Sequence, residues 1–322
     1  MEEIGIDSIK IESIVDEIDE VIGFDHISAR HNLRIYWGTT VNRIPNINYL
    51  IPLMTLRHFI TQGCKIIILL ADMHSYLNST DCNFNLLADR TNVHEKIIKL
   101  LFSLMKIDSS EIEFVQGTSY QLTPSFTLDL YKVNSVCTVS QMIRAGKHAV
   151  TQNSDPKMTS LLYPALQALD IEYLNADVFF GDTKQTDICN LTNKVLAELG
   201  YRKRAFFLNE LHENLNHMKH ITFIDTYEEL EKKIKVVNIN VLVEFIDVII
   251  FDMCNIIGIK FSINGYEFNN LTDIKNKYER KEIKSADIRN AVVQFIDYVN
   301  KPIRDEFSHD TSNKLLEESK YR

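Results

Sequence analysis

The feature that most restricts the fold is an unbroken apolar segment at residues 64–72, which reads CKIIILLAD. It has the length of a strand and no polar alternation, so we expect a strand buried on both faces. Strand-like segments also occur at residues 33–38 (LRIYWG) and 112–117 (IEFVQG), and helical patterns at 47–63 and 92–107 separate the three. This alternation predicts an α/β fold with a doubly wound, parallel, Rossmann-type sheet.

One end of this sheet is the expected binding region. In open parallel sheets, ligands bind beyond the carboxyl ends of the strands. We therefore expect the loops that follow Tyr36, Leu70 and Val115 to line one cleft.

The chain divides into three parts by pattern. Residues 1–34 form an acidic N-terminal segment, in which we expect one or two helices over residues 5–31. A Rossmann-type domain is expected over residues 35–215, with a helical, polar insertion at about residues 118–160. From residue 227 to 322 the periodicity is mostly helical, which predicts a second, mainly helical domain.

Charge and cysteine content exclude several classes of protein. The net charge is −9, so contact with nucleic acid would require a local basic patch. An odd number of cysteines without CxxC spacing argues against a zinc site or a disulfide framework, and favours a reducing, cytoplasmic location. The five are Cys64, Cys82, Cys137, Cys189 and Cys254.

No segment has the pattern of a membrane span or a signal peptide. The longest apolar stretch, at residues 241–259, is interrupted by Glu244, Asp247 and Asp252. A membrane span requires about 20 predominantly apolar residues, so this stretch is expected to be a buried helix. We expect no membrane association.

Three polar residues recur at helical spacing. Tyr163, Gln167 and Asp170 stand at i, i+4 and i+7, which places them on one face of a helix. They could converge on a single ligand. The alternative is that they are half-buried polar residues on an amphipathic helix.

Four stretches together resemble the archaeal and eukaryotic tyrosyl-tRNA synthetases, which are class I aminoacyl-tRNA synthetases. The two longest are LRIYWGTTVNRIPNINYLIPLMTLRHFITQGCKIIILLADMHSYLN and LLYPALQALDIEYLNADVFFGDTKQTDI. GTSYQLTPSFTLDLYKV and SADIRNAVVQFIDYVNKPIRDEF support them. The resemblance covers almost the whole chain, in order and with similar spacing.

This resemblance implies a Rossmann-type catalytic domain, an insertion that forms a homodimer interface, and a helical anticodon-binding domain. The family's reaction has two steps. Tyrosine attacks the α-phosphate of ATP, with Mg²⁺, to give tyrosyl-adenylate, and the tyrosyl group then passes to tRNA. L-tyrosine and tRNA are therefore the implied partners.

The resemblance also implies a tyrosine pocket. Tyr36 and Asp170 would hydrogen-bond the phenolic hydroxyl of bound tyrosine, while Tyr163, Gln167 and Gln185 would hold its α-amino group. A buried site built for a hydroxyl rejects phenylalanine, because its polar groups would be left unpaired. The chain departs from the family at Asp182, where glycine is usual.

The ATP-binding motifs depart from the family pattern. The HIGH motif corresponds to Pro45, Asn46, Ile47 and Asn48. Asn46 replaces the first histidine and can donate a hydrogen bond but carries no positive charge. Asn48 puts a branched amide where adenine should pack against the backbone, and Arg43 replaces a loop glycine.

The second ATP motif, KMSKS, is shortened as well. The corresponding stretch, HENLNHMKHITFIDTYEELEKK, contains no glycine, and Lys219 is the only candidate for the phosphate-contacting lysine. The alternative for Lys219 is an ordinary solvated lysine. The whole chain has only ten glycines, which fits either drift of glycine-dependent turns or a compositional bias of the gene.

Only a few residues are candidates for contact with RNA. By resemblance, Asp287 and Asn290 match the anticodon-domain motif, in which the aspartate contacts the first anticodon base. Basic clusters at residues 201–204 and 275–284 could contact phosphates or could be solvated faces.

Three functions remain open. The first is a pseudo-synthetase that keeps the tyrosine pocket, has lost most ATP-dependent activation and needs no cofactor. It would bind tyrosine, tRNA or a partner, as a homodimer or a heterodimer with an active paralogue. The second is an active, divergent tyrosine–tRNA ligase in which ATP, with Mg²⁺, is handled by Asn46 and Lys219. The third is a scaffold that has lost tyrosine binding too.

Overall fold

A computed structural model describes most of the chain. The described residues are 15–28, 32–78, 83–150, 157–319 and 321. The helix expected to begin at residue 5 lies largely outside them. The chain forms two compact units, the first made of residues 1–42, 58–91 and 110–211, the second of residues 43–57, 92–109 and 212–322.

The first unit contains a six-stranded sheet. Its strands are β1 (Glu20–Ile22), β2 (Arg34–Thr40), β3 (Lys65–Ala71), β4 (Ile112–Gln116), β5 (Val178–Asp182) and β6 (Ala205–Asn209). The spatial order is β1-β6-β5-β2-β3-β4, and β2 to β6 are mutually parallel. The predicted doubly wound α/β fold is confirmed.

The sheet differs from the prediction at one edge. Residues 20–22 were expected to be helical, but they form β1 and pair antiparallel with residues 206–208 of β6. A strand of three residues is too short to show an alternation of apolar and polar side chains. The acidic, helix-like pattern of the residues around it therefore predicted a helix. The apolar pattern predicts no strand at β6 either. The sheet is therefore mixed.

Eight helices with described bounds come from the first 200 residues. They are α1 (Leu50–Thr61), α2 (Asp72–Asn78), α3 (Leu87–Leu104), α4 (Thr118–Gln121), α5 (Pro124–Val136), α6 (Val139–Ala145), α7 (Met158–Tyr173) and α8 (Thr186–Glu198). Helices α4 to α6 form the predicted helical insertion. Thr123 caps α5, with Pro124 in its first turn, and Thr138 forms a capping box with Gln141 at α6.

The topology of this sheet creates a crevice. After β4 the chain returns to the other side of β2, so the strand order reverses between β2 and β5. Tyr36 of β2 lies beside Phe179 of β5 in the parallel register. Carboxyl ends of strands at such a switch point are the usual ligand site of open α/β sheets.

The second unit is mainly helical, as predicted for its C-terminal part. Its C-terminal helices are α9 (Tyr227–Lys235), α10 (Ile239–Phe245), α11 (Phe251–Ile257), α12 (Leu271–Glu279), α13 (Ser285–Phe307) and α14 (Asp310–Ser319). A π-helical turn, Ile246–Ile250, joins α10 to α11, so the apolar stretch forms a continuous helical segment with a buried face. Within the described ranges, no helix is both long and apolar enough to span a lipid bilayer.

A β-hairpin interrupts the helices of the second unit. Strands β7 (Phe261–Ile263) and β8 (Tyr266–Phe268) pair antiparallel. Asn264 and Gly265 connect them with φ of 51° and 82°. An Asn-Gly pair with positive φ at both positions is the favoured two-residue hairpin turn, so the sequence contains a local signal for this hairpin.

Candidate functional site

The five residues predicted to bind tyrosine line one cavity of about 330 Å³ in the first unit. Tyr36 comes from β2, and Tyr163, Gln167 and Asp170 project from one face of α7, as their spacing predicts. Gln185 lies in the short 3-10 turn after β5. Leu69, Ala71 and Phe179 add apolar surface to the wall.

Asp170 is buried, with 1% of its surface exposed, and is held by three side chains. Tyr120 Oη donates a hydrogen bond to Asp170 Oδ1 at 2.7 Å, and Gln121 Nε2 donates to the same oxygen at 2.6 Å. His74 Nε2 lies 2.7 Å from Asp170 Oδ2, and a carboxylate can only accept, so the imidazole donates. These bonds fix the carboxylate in one orientation.

Sequence reasoning did not name these three partners of Asp170. His74 lies in α2, which follows β3, and Tyr120 and Gln121 lie in α4, which follows β4. The loops after these strands were expected to line the cleft, so position relative to the strand ends was the signal that could have found them.

Tyr36 presents a protonated phenol beside Asp170. Its side chain is buried, and its ring packs against Phe179 with centroids 4.9 Å apart. Burial, followed by the charge of Asp170, raises the pKa of Tyr36 well above its usual value. The hydroxyl therefore stays a hydrogen-bond donor at any physiological pH.

A chain of amide and carboxylate groups runs along another wall of the cavity. Gln167 Nε2 donates to Gln185 Oε1 at 2.8 Å, and Gln185 Nε2 donates to Asp182 Oδ2 at 2.8 Å. Tyr163 stands nearby, its ring edge-on to His74 with centroids 4.5 Å apart. Burial, then the charges of Asp170 and Asp182, raises the pKa of Tyr163.

This arrangement suits a ligand with two different polar ends. Tyr36 and Asp170 offer a donor and an acceptor to a hydroxyl, and the apolar wall accepts an aromatic ring. The second polar wall contains glutamine amides and a carboxylate, which can accept hydrogen bonds from an ammonium group.

The residues of the HIGH-like stretch lie in the second unit. Asn46 Oδ1 accepts a hydrogen bond from the Asn48 amide N–H at 3.1 Å and caps a 3-10 turn, Ile47–Tyr49. Asn48 Nδ2 donates to the carbonyl of Leu215 at 2.9 Å. Asn48 Oδ1 is buried and has no partner among the described residues. One side-chain atom of each asparagine is thus engaged within the protein.

Main-chain hydrogen bonds join this stretch to the KMSKS-like stretch. Ile47 N–H donates to the carbonyl of Ile221 at 3.0 Å, and Phe223 N–H donates to the carbonyl of Pro45 at 3.4 Å. Asn46 and Thr222 form the antiparallel bridge between them.

Lys219 is exposed at the end of a 3-10 helix, Glu213–Met218. It lines a groove of about 630 Å³ in the second unit, together with Arg43 and Asn46. Glu317 and Tyr321, from the C-terminal end of the chain, line the same groove.

Asp287 has a local role at the start of α13. Its Oδ2 accepts a hydrogen bond from the Lys284 amide N–H at 2.7 Å, which caps the helix. Asn290, one turn further, lines a separate groove between α9 and α13, with Arg289. Among the described residues, no group of three or more His, Cys, Asp or Glu side chains is arranged to hold a metal ion.

Comparison with known families gives the class of protein. The model for tRNA synthetases class I (W and Y) matches residues 28–296. The chain therefore belongs to the class I tRNA synthetases for tryptophan and tyrosine.

Within that family, the chain is similar to tyrosine--tRNA ligases. The chain is 33% identical to a probable cytoplasmic tyrosine--tRNA ligase of Vairimorpha ceranae, over 96% of this chain and 97% of the relative. A protein of the same name from Enterocytozoon bieneusi is 33% identical, over 88% and 86%. The cytoplasmic tyrosine--tRNA ligase of Gallus gallus is 30% identical, over 95% of this chain and 62% of the relative.

Solved structures support the same fold. The tyrosyl-tRNA synthetase of Archaeoglobus fulgidus, complexed with L-tyrosine, superposes with a TM-score of 0.78 at 23% identity, covering 91% of this chain and 97% of that one. The Pyrococcus horikoshii enzyme, also complexed with L-tyrosine, gives 0.78 at 17% identity, covering 95% and 97%.

Proposed function

We propose that this chain is a pseudo-synthetase that binds L-tyrosine but is impaired in ATP-dependent tyrosine activation. The observation that carries the proposal is the main-chain pairing of residues 45–47 with residues 221–223. It ties together the two segments that would have to receive ATP.

Retention of tyrosine binding is supported by the cavity. All five residues implied by the family resemblance line it, and Asp170 is pre-oriented by three donors. Preorganisation reduces the entropy lost on binding. Two of the solved relatives were crystallised with L-tyrosine.

Impaired activation is supported by the second unit. The family uses ATP with Mg²⁺, and the residues at positions 45–48 do not fit the nucleotide. The Asn48 amide is bonded to the Leu215 carbonyl, and Asn46 caps its own turn. Each lost set of charge-stabilising contacts typically lowers the rate by about 10²–10³.

Partners are proposed on the same basis. We propose that the chain binds tRNA and works in the cytoplasm, because its relatives are named cytoplasmic tyrosine--tRNA ligases. A homodimer, or a heterodimer with an active paralogue, is supported by large apolar side chains that are exposed on and beside the helical insertion. They are Leu122, Leu128, Tyr131, Val136, Val139, Ile143 and Met158.

An active, divergent ligase is the second candidate. The observation that favours it is the groove in which Arg43, Asn46 and Lys219 come together. Arg43 and Lys219 carry positive charge that could contact phosphates, and Asn46 retains a donor group.

Two measurements on the full chain test these candidates. Calorimetric titration with tyrosine is expected to show binding, and tyrosine-dependent ATP–pyrophosphate exchange is expected to stay near background. Exchange at a rate usual for the family, lost in Asn46→Ala and Lys219→Ala, would establish the active ligase instead. Absence of tyrosine binding would leave only the scaffold.

A further inference from the structure

We infer that Asp182 is a specificity-determining residue of the tyrosine pocket, the counter-ion that selects ligands with a primary ammonium group. The inference rests on the proposed tyrosine binding. It adds a charged group to a wall that the family resemblance fills with Tyr163, Gln167 and Gln185 alone.

The position of Asp182 supports this role. It ends β5, lines the cavity, and is partly buried. Its Oδ1 accepts a hydrogen bond from the Lys184 amide N–H at 3.0 Å, and its Oδ2 accepts from Gln185 Nε2 at 2.8 Å. These bonds hold the carboxylate in place. Each oxygen has two lone pairs, so both can still accept from a ligand.

The two carboxylates of the cavity, Asp170 and Asp182, differ in the groups that surround their negative charge. Asp170 already accepts from Tyr120 and Gln121 and contacts His74. Asp182 accepts only from an amide N–H and an amide NH₂, and within the described chain it has no ion-pair partner. It is therefore the carboxylate with negative charge left for a cation.

The glutamines orient this carboxylate. Gln167 donates to Gln185, which in turn donates to Asp182, so the chain of hydrogen bonds points toward the carboxylate. Glutamine amides are neutral and cannot balance a charge. An ammonium bound against these groups would meet a formal negative charge at Asp182, the charged member of this chain of hydrogen bonds.

The ligand class follows from both ends of the cavity. The Tyr36 and Asp170 end accepts a phenol, and the Asp182 wall accepts a primary ammonium. Tyrosine and tyramine satisfy both. The deaminated compound 3-(4-hydroxyphenyl)propionate keeps the carboxylate of tyrosine but lacks its ammonium group. Asp182 would therefore repel the carboxylate of this compound and gain no ammonium partner.

The test compares Asp182→Asn with the wild-type chain and with Asp187→Asn, the same change at an exposed position of α8. Tyrosine, tyramine and 3-(4-hydroxyphenyl)propionate are titrated by calorimetry. We expect Asp182→Asn to weaken tyrosine and tyramine by about tenfold or more, since hydrogen bonds to charged groups contribute strongly. Affinity for the deaminated compound should stay the same or increase, and Asp187→Asn should match the wild type.

The outcomes separate this inference from the proposed function. Unchanged tyrosine and tyramine binding in Asp182→Asn overturns the inference and leaves the proposed function intact. So does an equal loss for all three ligands, which would indicate a structural role for Asp182. If the wild-type chain binds neither tyrosine nor tyramine, the proposed function itself fails.

Discussion

At the scale of single residues, the cavity proposed to bind tyrosine contains a few polar groups that hydrogen bonds within the protein hold in place. The Asp170 carboxylate is immobilised by bonds from α2 and α4, and the Tyr36 phenol stays protonated because burial and Asp170 raise its pKa. On the proposed function, this donor and this acceptor are the groups that would distinguish tyrosine from phenylalanine.

Replacement of Tyr36 by phenylalanine should reduce this discrimination. The variant removes one donor and keeps the ring packed on Phe179, so tyrosine affinity should fall by about 0.5–1.5 kcal/mol, the usual contribution of one hydrogen bond. Phenylalanine affinity should not decrease. Calorimetry with both amino acids measures the effect, and Tyr76→Phe, at a residue 42% exposed, is the matched control. Equal losses for the two ligands would contradict the assignment.

The sequence revealed the pocket only in part, for a physical reason. Tyr163, Gln167 and Asp170 share one helix, so their spacing alone placed them together. His74 and Tyr120 lie 96 and 50 residues from Asp170, and only the tertiary fold brings them to it. Local periodicity contains no information on such contacts.

At the scale of elements, the strands and helices with a strong apolar periodicity could be predicted from the sequence, and the short elements could not. Strands β2 to β5 and helices α1, α3, α7 and α8 form where the apolar pattern places them. Strand β1 has three residues and is stabilised by β6, so its conformation depends on a partner distant in sequence. The sequence could not predict the pairing of residues 45–47 with residues 221–223, because its hydrogen bonds are made by main-chain groups, which do not depend on residue type.

That pairing predicts slow exchange of particular amides. The N–H groups of Ile47 and Phe223 donate to main-chain carbonyls and should be protected from hydrogen exchange. On the proposed function ATP orders no loop here, so millimolar ATP should not change the protection of residues 219–225. Mass spectrometry of the exchanged peptides measures this. Protection that increases with ATP would show that this segment responds to nucleotide.

At the scale of the whole molecule, exposed apolar side chains predict association. Val139, 61% exposed on α6, belongs to the set on and beside the insertion, whereas Val236, 80% exposed, stands at the end of α9 in the other unit. Sedimentation should give a dimer for the wild-type chain and for Val236→Asp, and a monomer for Val139→Asp. A dimer in all three would exclude the insertion as the interface.

Buried thiols predict a loss of stability at alkaline pH. Burial raises the pKa of Cys64 to about 12 and that of Cys254 to about 11, and each compact unit contains one of them. Above about pH 8.5 the unfolded thiols lose protons that the folded chain retains. The free energy of unfolding should therefore fall by up to about 1.4 kcal/mol per pH unit per thiol until the folded pKa is reached.

Urea denaturation between pH 7.5 and 10.5, with a reductant present, measures this slope. Cys64→Ala should flatten it by the share of one thiol. A free energy of unfolding that is constant over this range would show that the thiols titrate alike in the folded and unfolded chains.

The main-chain pairing of residues 45–47 with 221–223 also bears on how this protein could change in evolution. Hydrogen bonds between peptide groups do not depend on which side chains stand there, so a histidine restored at position 46 would leave them in place. A point mutation can return a side chain but cannot add backbone. On the proposed function, recovery of nucleotide binding would therefore require inserted residues between positions 210 and 226, and insertion is a rarer event than substitution.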